Sequence, residues 1–123
     1  MKLPNAENAV VDIAKLRDYC LNPSHPEGKH KARVFLAKLG IGRNDAERLR
    51  QLILEGILTA EAPEQKPTAY GRRFVVNLQI EWSHGLVICL AMVRSAWIIR
   101  NGEDFPRLTT CFIQSGKERL EDG

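Results

Sequence analysis

No apolar run in this chain is long enough to cross a bilayer. The longest, "GLVICLAMV" at 85–93, falls well short of the roughly 20 residues that a spanning helix needs. The opening "MKLPNAENAV" lacks the apolar core of a secretory signal, so export by that route is not expected. Cysteine is scarce. Cys20, Cys89 and Cys111 are an odd number with no close pair in sequence, which predicts reduced, mostly buried thiols in a cytoplasmic protein. His25, His30 and His84 stand at no metal-ligand spacing from one another or from cysteine, so neither a metal site nor a cofactor is expected. Repeats and low-complexity tracts are missing, as is any single motif that declares a chemistry.

What is present is an ordinary globular composition, 44% hydrophobic and 27% charged over 123 residues. It argues against disorder and predicts one domain with a modest core. Net charge is +3 with pI ≈ 8.9, compatible with a polyanionic partner. The charge is uneven: residues 27–50 hold seven Lys or Arg (29, 31, 33, 38, 43, 48, 50) against three acids (27, 45, 47). A phosphate-binding surface needs such a concentration.

The hydrophobic period divides the chain. In the helical half, 1–62, Asp12 caps a helix to about Leu21, and "NPSHPEG" breaks it. A second helix runs from about Lys29 to Leu39 on an apolar stripe of Ala32, Phe35, Leu36 and Leu39, stopping at Gly40. A third covers about 44–58, with Asn44 and Glu47 at capping-box spacing. "EAPEQKPTAYG" reads as a linker loop. From 70 to 113 the period becomes two. "RRFVVNLQIEW", "LVICLAMVRSAWIIR" and "RLTTCFI" are strands, separated by turns at "SHG" and "NGEDFP". The tail 114–123 is polar and predicts fraying. The expectation is an α+β fold, three N-terminal helices packed on one face of a curved antiparallel β-sheet.

Two constellations bear on function. In "GKHKARVF", Lys31 edges the apolar stripe of the second helix and His30 points away from it; a snorkelling lysine and a solvated histidine are the plain alternative. In "VRSAWII", Arg94 stands inside an apolar strand and needs a partner. Glu81 or Asp104 would serve, as would a place on the floor of an anion site. Thr109 and Thr110 should point to opposite faces, so that only one shares the surface of Arg94.

"NPSHPEGKHKARVF", "VRSAWIIRNGEDFPRLTTCFI" and "KLPNAENAVVD" together resemble a bacterial toxin-associated domain family, found in toxin–antitoxin cassettes and at the C-termini of polymorphic toxins. The resemblance spans about Lys2 to Ile113. That family is similar in layout to the barnase–colicin–RelE group of metal-independent ribonucleases, a likeness carried by the "R-[ST]-x-W … P-R-L-[VT]-T" rhythm. Ser95 departs from it where threonine is commoner. "LVICLAM" is more apolar than the usual strand start, which points to a covered or partner-bound surface. The resemblance implies a cytoplasmic toxin that cleaves RNA through the 2′-hydroxyl. In it Lys31 and Arg94 stabilise the phosphate, His30 serves as acid or base, and Thr109 or Thr110 orients a phosphate oxygen. Lys29, Arg33 and Arg107 would bind substrate, with Tyr70 and Trp97 as stacking platforms. RNA, a cognate antitoxin or immunity protein and a second copy of the chain are the implied partners, and a membrane is not. The competing class is a non-catalytic binding module: an antitoxin, an immunity protein or an RNA-binding accessory.

Overall fold

The computed structural model describes residues 1–114. The expectation for the tail lies, past Gln114, outside the described residues. Helices α1 (Ile13–Lys15), α2 (Lys29–Leu39) and α3 (Ala46–Gly56) precede strands β1 (Glu64–Thr68), β2 (Gly71–His84), β3 (Val87–Arg100) and β4 (Arg107–Ile113). The strands form one antiparallel sheet in the order β1-β2-β3-β4. The fold is α+β, with an open sheet, as the change of period implies. Among the described residues no helix is long and apolar enough to cross a membrane.

The core lies between the helices and one sheet face. Phe74, Val76, Leu78 and Ile80 from β2 meet Val93, Trp97 and Ile99 from β3. Phe35 and Leu39 of α2 and Leu49 and Ile53 of α3 cover them. Strand alternation sends Arg94, Ala96, Ile98 and Arg100 to the other face.

The helical layer departs from expectation in its details. Asp12 does cap α1, accepting the Ala14 N–H at 3.0 Å. After Lys15, however, the chain widens into a π-helical turn, Leu16–Cys20. The Leu21 N–H bonds the Leu16 carbonyl at 2.8 Å, which turns Leu21 into the core beside Leu16 and Cys20. Gly40 ends α2 at φ 69; a Cβ there would sit 2.8 Å from His84 Nε2, so the stop needs glycine twice over. Leu36, assigned to the buried stripe, is 63% exposed. The Asn44–Glu47 capping box does not form: Asp45 accepts the Gly42 N–H instead, and Glu47 pairs with Arg50.

The supposed linker contains β1, an edge strand that tolerates Pro67 because one of its sides has no partner strand among the described residues. The first hairpin turns at Gly85 and Leu86, later than "SHG" suggested. β3 is a single strand, paired with β2 throughout but with β4 only over Val93–Ile98. Its outer part leaves Val87, Ile88, Leu90 and Met92 exposed, next to the exposed turn residue Leu86.

Candidate functional site

A bulge in β4 creates the first cleft. Ala96 faces Thr110 and Trp97 faces Leu108, which leaves Thr109 as an extra residue. The two threonines therefore line one cleft, with Asp12, Lys15, Asp18, Tyr19 and His25, rather than pointing apart as strict alternation required. The cleft measures about 570 Å³. Thr109 spends its proton on the Ala96 carbonyl at 3.1 Å.

Lys31 reaches this cleft through Tyr19. Its ammonium donates to the Tyr19 hydroxyl at 2.6 Å, leaving the phenol's own proton free for a ligand. Gly28 makes the approach possible, because a Cβ there would lie 2.1 Å from the Tyr19 carbonyl oxygen. His25 packs edge-on against Tyr19 at 4.8 Å. Its Nδ1 accepts the N–H groups of Glu27 and Gly28, so in the neutral ring Nε2 carries the proton.

Behind Tyr19, the fully buried Cys20 and Cys111 meet. They form a close pair that sequence spacing hid. Hydrogen bonding from Cys111, aided by Thr110 and the Lys31 charge, lowers the Cys20 thiol below its ordinary range. Cys111 is raised by Cys20 and by its own burial.

A second, larger cleft of about 930 Å³ lies across the π-turn. Arg17, Lys29, Arg33 and Arg43 form its rim, and Leu21, Ala32, Leu36 and Ile41 its floor. Arg17 and Arg43 both bind Asp18, at 3.1 and 2.8 Å, and their hydrogen bonds hold its carboxyl at about 2. Lys29 and Arg33 form no ion pair among the described residues.

The remaining expected site residues are dispersed. Arg94 donates to Asn77 at 2.9 Å, not to Glu81 or Asp104. Arg94 lies on the sheet face opposite the helix-covered core, so it does not join Lys31 and His30 of α2 at one phosphate as the resemblance implies. His30 is exposed. Trp97 cannot stack on a base, being 1% exposed in the core with its N–H on Ser95. Tyr70 is exposed in the turn between β1 and β2, at the far edge of the sheet. Arg107 is engaged by Glu103 through two hydrogen bonds of 3.0 Å.

One family model spans residues 2–115, that of the domain of unknown function DUF6883. The chain belongs to the DUF6883 family. No curated protein and no solved structure matches it. The family model covers both clefts, since all their lining residues fall within 2–115.

Proposed function

We propose that the chain is a metal-independent endoribonuclease, a bacterial toxin of the kind its motifs resemble, and that it cleaves RNA in the β4 cleft. The observation that carries this reading is the Lys31–Tyr19 pair at a cleft shared with both threonines. Cleavage through the substrate's 2′-hydroxyl needs a proton acceptor for that hydroxyl, a donor for the departing 5′-oxygen, and cations for charge on the phosphorane. Asp12 has one oxygen on Ala14 and the other available as acceptor. Tyr19 donates its proton to the leaving oxygen, and the Lys31 ammonium stabilises the phenolate left behind. Lys15 and Lys31 supply charge, and Thr110 and His25 Nε2 hydrogen-bond phosphate oxygens. Attack forms the O2′–P bond as the P–O5′ bond breaks, giving a cyclic phosphate and a 5′-hydroxyl.

The test is cleavage of labelled single-stranded RNA in EDTA, together with growth of the expressing host. Tyr19→Phe and Lys31→Ala should each lower cleavage by about 10²-fold or more, with circular dichroism unchanged and host growth restored. A wild-type chain that binds RNA without cutting it makes the protein a binding module instead. Activity that EDTA abolishes and magnesium restores defeats the proposed chemistry.

A further inference from the structure

We infer that the larger cleft is a subsite for a single unstacked nucleotide, which makes the substrate class single-stranded rather than duplex RNA. The inference rests on the ribonuclease reading only in taking the ligand to be RNA. Two kinds of surface meet in the cleft. The rim carries Arg17, Lys29, Arg33 and Arg43 against one acid, Asp45, which accepts the Gly42 N–H; Lys29 and Arg33 have no ion-pair partner among the described residues. The floor is apolar, and Leu36 lies there 63% exposed although the helix buries its neighbour Phe35 completely. A cationic rim alone would suit any phosphate backbone. An apolar floor of this size does nothing for a duplex, whose bases are stacked and paired, but it covers the face of a base turned out of a single strand.

The two clefts lie on either side of the π-turn, with Arg17 in one and Tyr19 in the other. A strand crossing the turn would set its base on Leu36, its phosphate against Lys29 and Arg33, and the next phosphodiester beside Tyr19. Arg17 and Arg43, already bound to Asp18, form the fixed wall between.

Fluorescence anisotropy with a labelled 2′-O-methyl RNA, which has no free 2′-hydroxyl to attack, reads binding apart from cleavage. The single strand should bind at least tenfold tighter than the same strand in a duplex. Leu36→Glu should weaken binding at least tenfold without altering the melting curve, because the side chain is already in water. The Lys29→Ala/Arg33→Ala double variant, which gives up the one phosphate the two side chains share, should flatten the slope of log K against log salt by roughly 0.7. Equal affinity for the duplex, or a Leu36→Glu variant that binds like wild type, overturns the inference. Cleavage lost in Tyr19→Phe would then still support the β4 cleft on its own. Conversely, selective binding of the single strand by a wild-type chain that never cleaves supports the subsite and overturns the ribonuclease.

Discussion

Ser95 is fully buried, and its hydroxyl links two strands of the core. It donates to the Val76 carbonyl at 2.8 Å and accepts the Trp97 indole N–H at 2.8 Å. Ser95→Ala leaves that indole proton with no acceptor in a dry interior, a loss of about 1–3 kcal/mol. Urea denaturation checks it, and an unchanged midpoint would show that the indole finds another partner. Asp18 gives a different signature at the surface. Its folded carboxyl titrates at about 2, below the ordinary 3.8, because of hydrogen bonds first from Arg17 and then from Arg43. A depressed carboxylate stabilises the fold in full above its unfolded value, and the contribution is lost as pH falls from about 3.8 through about 2. Acid unfolding of Asp18→Asn should therefore start from a lower stability at neutral pH and depend less on pH across that window. Parallel acid curves would assign the dependence to other groups.

Among the elements, those with a uniform period were legible and those with local exceptions were not. α2 and β2 follow from the spacing of Phe35 and Leu39 and of Phe74, Val76, Leu78 and Ile80. The π-turn is a local widening that no apolar period marks, the strand around Pro67 needs β2 beside it, and the bulge at Thr109 is set by register with β3. The candidate site suffered most, since it is built from those exceptions. Lys31 was legible as an edge residue, whereas Tyr19 and His25 gave no signal beyond lying on a short helix and in a turn. The outer part of β3 carries a prediction of its own. Among the described residues, Val87–Ala91 pairs only with β2, while the Met92 carbonyl accepts the Gln114 N–H at 2.8 Å, and the stretch has no charge or proline to discourage another strand from joining it. Leu90→Lys, at a side chain 54% exposed, should reduce self-association of concentrated protein in light scattering and leave the melting temperature unchanged. Equal scattering from both proteins would mean that this edge does not associate.

At the scale of the whole molecule, the first residues and the last strand are joined. Val10 lies parallel to Arg107; its N–H bonds the Pro106 carbonyl at 2.9 Å, and its carbonyl accepts the Leu108 N–H at 3.0 Å. The β4 cleft is split the same way, with Tyr19 from the helical layer and both threonines from β4. On a ribosome, α1 to β3 can be complete while the cleft has no far wall, because residues 107–110 have yet to emerge. If RNA is cut in that cleft, the growing chain is harmless to the message being translated, and the activity appears only once β4 has left the tunnel and closed against Val10 and Tyr19.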